Sequence, residues 1–241
     1  MTAVQALKHG LRLTHRNARL LIFQAALNAV AFGLFYNLLK VTDASALELA
    51  LSLLLVLGIL FMFSVAQAGT FGVMAQALSG HPATEGLWRQ GVRNSWRFLL
   101  ALLPVGLLGY LLFLAYAALP RKVAQGPTAI AFSAAWYGLL PLMLVALWAS
   151  VANNGLAYSF KNGGRILFGR ALRPRSILVY GVLFLLFGLL PYGLLALKTP
   201  SASPWLELAV FAGRVGVAYL LMVYGWTVLA GAMAGLLKDE G

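Results

Sequence analysis

Six stretches of this chain, residues 20–39, 46–68, 98–119, 129–152, 177–197 and 206–237, run on with almost no charge. A bilayer core about 30 Å thick takes about 20 residues of helix. Inside it every backbone polar group must be satisfied within the segment, which leaves the helix as the form such runs adopt. Six spans use more than half of the 241 residues, so no segment of useful length is left for a soluble catalytic domain. Only 10% of residues are charged, against roughly a quarter in a soluble domain. The sequence predicts an all-α polytopic membrane protein, a single transmembrane domain over residues 1–241 with six helices.

The charges that remain are placed in a pattern. Lys8, Arg12 and Arg16 sit four residues apart, and Arg89, Arg93 and Arg97 keep that spacing 81 residues later. A looser third set comprises Arg165, Arg170, Arg173 and Arg175. Each set precedes two apolar runs. A shift of 81 carries Gly10 onto Gly91, and a shift of 159 carries it onto Gly169. The same 159 carries Leu47-Glu48-Leu49-Ala50 onto Leu206-Glu207-Leu208-Ala209. Small residues cluster where the second span of each unit ends: Val65-Ala66-Gln67-Ala68-Gly69 before Ser79-Gly80, Val151-Ala152-Asn153-Asn154-Gly155 before Gly163-Gly164, and Val228-Leu229-Ala230-Gly231 before Gly241. These landmarks predict three parallel repeats, at about residues 1–80, 81–160 and 161–241, related by an axis along the membrane normal.

Each basic set reads as a short amphipathic interfacial helix preceding its hairpin. In the first, Val4, Leu7 and Leu11 form one face and Lys8, Arg12 and Arg16 another. In the second, Trp88 and Trp96 flank Arg89 and Arg93, an interfacial mixture. His81-Pro82-Ala83-Thr84 marks a stop and restart, with Thr84 as N-cap and Glu85 in the first turn. An N-terminus on the cytoplasmic side places thirteen of the 18 Lys and Arg residues there, Lys161 and Lys238 among them. The positive-inside rule then predicts both termini cytoplasmic. The spread of Lys8, Arg12, Arg16 and Arg19 and the length of the first apolar run do not read as a cleavable signal.

The small-residue run Val65-Ala66-Gln67-Ala68-Gly69, the stop Ser79-Gly80, the basic helix over residues 86–97 and the apolar run from Phe98 resemble a broad set of bacterial six-helix membrane families. These include the membrane domain fused to some glycerophosphodiester phosphodiesterases and related stand-alone proteins of about this length. The resemblance covers most of the chain. It implies a bacterial cytoplasmic membrane location and no activity.

No catalytic constellation stands out. The histidines are His9, His15 and His81. His81 and Glu85 share a helix spacing, but a zinc site needs three or four ligands and no further one is placed to join them. Ser79-Gly80-His81 has neither the second His nor the order that lipid phosphatase chemistry needs. Ser133 and Ser150 have no base within the apolar runs. No Gly-rich run ends in Gly-Lys-Ser or Gly-Lys-Thr, so there is no P-loop. No cysteine supplies a thiolate. The sequence calls for no cofactor, no metal and no nucleic acid.

What remains is polarity at membrane depth, which is costly and therefore informative. Gln24 and Asn28 share a helix face, Asn153 and Asn154 lie near the end of the fourth span, and Arg214 lies within the sixth with Glu207 seven residues before it. Glu48 occupies the corresponding place on the second span. These groups read either as interhelical glue or as a substrate site, with Arg214, Glu48 and Glu207 as an ionic lock or anion contact. Pro104, Pro141 and Pro191 are expected to kink the third, fourth and fifth spans. The basic sets suit anionic lipid headgroups or the acidic face of a membrane-protein partner. The function expected is non-enzymatic, as a complex subunit or a lipid-organising scaffold. The alternative is a small transporter or permease subunit with a polar path through the bundle.

Overall fold

The computed structural model describes residues 1–38, 45–80, 86–120, 122–197 and 203–238. Among these every regular element is helical. Helix α1 (Ala3–Arg16) is opened by a capping box between Thr2 and Gln5, which satisfies two orphan N–H groups reciprocally. Helix α2 (Arg19–Leu38) follows, then α3 (Ala46–Leu78), opened by a second capping box between Ser45 and Glu48. Next is α4 (Leu87–Ala117). The fourth span is α5 (Pro127–Ala134), a π-helical turn π1 (Ala135–Leu139) and α6 (Leu140–Asn154). A short α7 (Leu156–Lys161) and π2 (Arg165–Arg170) lead to the fifth span, which joins α8 (Pro174–Phe184), π3 (Leu185–Leu189) and α9 (Leu190–Ala196). The sixth is α10 (Pro204–Lys238). Six helices are therefore long and apolar enough to cross a membrane, the architecture of a multi-pass membrane protein.

Three of these helices are longer than a bilayer requires. Helices α3, α4 and α10 have 33, 31 and 35 residues, where about 20 suffice. In α4 the surplus is Leu87–Arg97, whose three arginines are costly in hydrocarbon. Helix α3 sets its own surplus beside it, since the Gly69 Cα faces the Leu87 carbonyl. The last turns of α10 join the same layer: Lys238 Nζ donates to the Leu78 carbonyl at 2.6 Å, and Asn153 Nδ2 to the Ala234 carbonyl at 2.9 Å. Here, at the basic end, lies the packed core. Its centre is Trp148, 1% exposed, with Phe63, Phe71, Phe98 and Trp226 each within 6.3 Å, ring centre to ring centre. Its indole N–H donates to the Phe98 carbonyl at 3.1 Å. Away from this end the apolar side chains of α3 and α10 are exposed, Leu47, Leu49, Leu53 and Leu54 on the one and Trp205, Leu206 and Leu208 on the other.

Helix α1 does not lie by itself as an interfacial helix. It runs back along the end of α10: Met1 lies against Gly235, Gly10 against Val228 and Ala232, and His15 Nε2 is 2.9 Å from the Tyr224 hydroxyl. Its buried face is Ala6, Gly10, Leu13 and Thr14; of the expected apolar face, Leu7 and Leu11 are half-buried against the core and Val4 is exposed. Close approach explains the shift. A Cβ on Gly10 would strike the Val228 carbonyl oxygen, so the helices touch backbone to backbone and small residues are buried before large ones. Gly91 repeats this contact, where an added Cβ would stand 2.6 Å from the Val65 carbonyl oxygen. Gly169 does not, since an added Cβ there would meet only Arg165 of its own π turn.

The second basic stretch is not a separate helix either. It continues into its span as α4, because no Gly, Asn or Pro interrupts residues 92–103 except Asn94, whose side chain bonds back to the Gln90 carbonyl. The first stretch does break, at Asn17, which leaves helical geometry. Helix α4 opens at Leu87 with Gly86 as N-cap, and the expected Thr84 cap, Glu85 and His81 lie outside the described residues. The fourth span stops at Gly155, not at Gly163-Gly164, because Gly155 has φ +84°, a left-handed conformation that ends helices.

The prolines act differently from one another. Helix α4 passes through Pro104 as an α-helix. Pro141 and Pro191 each follow a π turn, whose wider winding relieves the clash of the ring with the preceding turn.

Candidate functional site

The intramembrane polar residues divide into two sets. Gln24, on the second turn of α2, is fully buried and donates to Thr70 Oγ1 at 2.8 Å and, at 3.3 Å, to Gln67 Oε1 and the Ala66 carbonyl. Asn28 donates to Gln24 Oε1 at 3.0 Å. Gln67 Oε1 also accepts from the Trp226 indole at 2.7 Å. This network joins α2, α3 and α10. Gln67 lies 11 residues before the end of α3, roughly 16 Å of helix, so the network sits towards the basic end rather than at mid-membrane. Gln67, Thr70 and Trp226 were not marked out by sequence reasoning. The available signal was Gln67 and Thr70 breaking an otherwise apolar run.

The expected ionic lock does not form. Glu48 caps its own helix through Ser45, at 3.2 Å to the backbone N–H and 3.0 Å to the hydroxyl. Arg214 donates to the Leu197 carbonyl, at the end of α9. Glu207 lies in the first turn of α10 and is exposed. A carboxylate three residues after a serine has a local partner at no loop-closure cost, and the guanidinium takes the carbonyl left open where α9 ends.

The basic residues are mostly presented outward. Lys8, Arg12, Arg16, Arg89, Arg93, Arg97 and Arg165 are exposed, and Arg173 and Arg175 are half-buried. Arg175 donates to the Met1 carbonyl at 3.4 Å, which ties the start of α8 to α1. Arg170 is 3% exposed, in the π turn beside α6.

A cavity of about 540 Å³ opens among these cations, between α3, α4 and α6. Gln90, Arg93, Asn94 and Arg97 line it from one face of α4, and Gly72, Gln76 and Asn153 from the facing helices. Asn153 holds its wall by the bond to Ala234. A Cβ on Gly72 would strike the Gln90 amide, so the glycine makes room for that amide at the cavity floor. A second, apolar recess of about 580 Å³ lies along the outside of α4, lined by Trp96, Arg97, Leu100, Leu103, Asn154 and Phe160. Arg97 belongs to both and lies 5.5 Å from the Trp96 ring centre. Among the described residues no three His, Asp or Glu side chains come together as metal ligands would. Comparison with family models, curated proteins and solved structures gives no match.

Proposed function

We propose that this chain is a non-enzymatic integral membrane protein that organises anionic lipid around a rigid basic collar, in a bacterial cytoplasmic membrane with both termini inside. The observation that carries the reading is the way the cations are held. The helices bearing Lys8, Arg12 and Arg16 and bearing Arg89, Arg93 and Arg97 are seated by backbone contact at Gly10 and Gly91, while the cations themselves stay exposed. A fixed array loses less freedom on meeting headgroups than a flexible tail would. Each Lys or Arg near an anionic surface adds about 1 kcal/mol.

The same contacts support a threefold internal arrangement. Helix α1 packs on α10, the start of α4 on α3, and π2 on α6. Each basic segment thus rests on the last span of the preceding unit, with the first closing on the third. A ring of three units places the collar around one axis.

The test is lipid enrichment around the purified protein in vesicles that contain spin-labelled phosphatidylglycerol or phosphatidylcholine. Phosphatidylglycerol is expected to be enriched at low salt and the enrichment to fall as ionic strength rises. Equal partition of the two lipids at every salt concentration overturns the reading.

A further inference from the structure

The cavity and the apolar recess meet at Arg97, at the boundary between the basic layer and the apolar part of α4. Their linings differ in kind. Above Arg97, Gln90 and Arg93 lie three residues apart, with Arg97 four further on, so all three share one helix face. Gln90 is 3% exposed, yet among the described residues its amide oxygen has no hydrogen-bond partner, and the same holds for the Gln76 amide oxygen. A buried acceptor without a partner is costly, and a terminal amide turns easily enough to offer either its oxygen or its NH₂ to an occupant. Beside Arg97 the recess is lined mainly by apolar side chains, Leu100, Leu103 and Phe160 among them. A volume of about 540 Å³ lies within the roughly 300–1,000 Å³ common for small-molecule sites.

We propose that these adjoining recesses bind one anionic glycerophospholipid whose headgroup carries hydroxyls, of the phosphatidylglycerol kind. Its phosphodiester lies on Arg93 and Arg97, its hydroxyls on the Gln90 and Gln76 amides, and one acyl chain along Leu100, Leu103 and Phe160. Two guanidinium groups with five donors each suit a phosphodiester and disfavour a headgroup that brings its own ammonium. The amides call for a neutral hydrogen-bonding group beside that anion. The apolar continuation calls for a chain, which free phosphate lacks. The proposal rests on the reading of the basic end as lipid-facing and adds to it a single stoichiometric site.

The full chain in a mild detergent would be titrated with dioctanoyl phosphatidylglycerol, dioctanoyl phosphatidylcholine and glycerol 3-phosphate, with retained ligand counted by native mass spectrometry. One phosphatidylglycerol per chain is expected, with phosphatidylcholine and glycerol 3-phosphate held at least tenfold more weakly. The double variant Arg93→Gln/Arg97→Gln is expected to lose at least tenfold, and Lys161→Gln, at the end of α7 and outside the lining of both recesses, to stay within twofold. Leu103→Trp narrows the recess without touching charge and is expected to weaken the diacyl ligand alone, so it decides the matter if the arginine variant does not fold. Equal losses from Lys161→Gln and the double variant overturn the site but leave the collar standing. Glycerol 3-phosphate held as tightly as the lipid overturns the lipid assignment. No preference for phosphatidylglycerol in any variant overturns both the site and the collar.

Discussion

The Tyr180 hydroxyl donates to the Tyr137 carbonyl at 2.8 Å, within the π turn that Pro141 follows. The Leu140 N–H bonds to the Ala135 carbonyl, five residues back, and the next N–H along the chain is missing. Proline has no N–H, so a side chain on the fifth span serves the fourth. Tyr180 is 8% exposed, and in hydrocarbon no water is at hand to replace it.

Tyr180→Phe is therefore expected to lower stability by about 1–2 kcal/mol, the range for an interhelical hydrogen bond of this kind. Pro141→Ala restores a donor on the same helix and should recover part of that loss. The double-mutant cycle, read as the midpoint of thermal unfolding in detergent, should show coupling between positions 180 and 141. Additive losses would mean that the hydroxyl serves some other group.

Gly10→Ala and Gly91→Ala each drive a methyl group into a backbone carbonyl, on α10 and α3 respectively. A loss of about 1–3 kcal/mol is expected for each, as for overpacked cores. Gly33→Ala meets nothing within 4 Å and should be neutral or stabilising by up to about 1 kcal/mol. Comparing the three by unfolding midpoint separates close approach from helix propensity.

Gln24→Leu removes the group that holds Thr70, Gln67 and Asn28 together. It is expected to cost about 1–3 kcal/mol, as loss of a buried hydrogen-bonded partner does. Trp226 fluorescence should shift as Gln67 loses one of its two donors. An unchanged unfolding midpoint would show that the network contributes nothing to the fold.

Arg214→Gln combined with Glu48→Gln should show no coupling beyond about 0.5 kcal/mol, the scatter of independent sites. Each side chain has its own local partner. A coupling of 1 kcal/mol or more would restore the ionic lock read from the sequence.

The six spans were legible because a bilayer sets a length, and runs such as residues 98–119 meet it with no charge inside. The ends of the helices were less so. Three Arg at residues 89, 93 and 97 read as a separate interfacial helix, yet nothing between Gly91 and Phe98 breaks the chain, and α4 carries on through. The face of α1 was legible in part, since Leu7 and Leu11 pack on the core and Val4 does not: periodicity ranks residues by apolarity, whereas contact at Gly10 is set by size. The cavity floor was hidden because Gln90 reads as one more polar residue among arginines, and only its place opposite Gly72 makes it an enclosed amide. Arg214 and Glu48 looked like partners because charges in apolar runs call for neutralisation, and sequence does not display the carbonyl at Leu197 or the cap at Ser45.

The course of α1 gives its cations different roles. From Met1 beside Gly235 to His15 beside Tyr224 the helix descends 11 residues of α10, roughly 16 Å at the rise of an α-helix. A charged bilayer surface is felt over a Debye length of about 8 Å at physiological ionic strength. Arg16, at the lower end, and Lys8 lie eight residues apart on α1, roughly 12 Å of helix, more than one such length. A single flat layer of headgroups therefore does not act equally on the two, and the contribution of α1 to the collar is graded along the helix rather than summed in full.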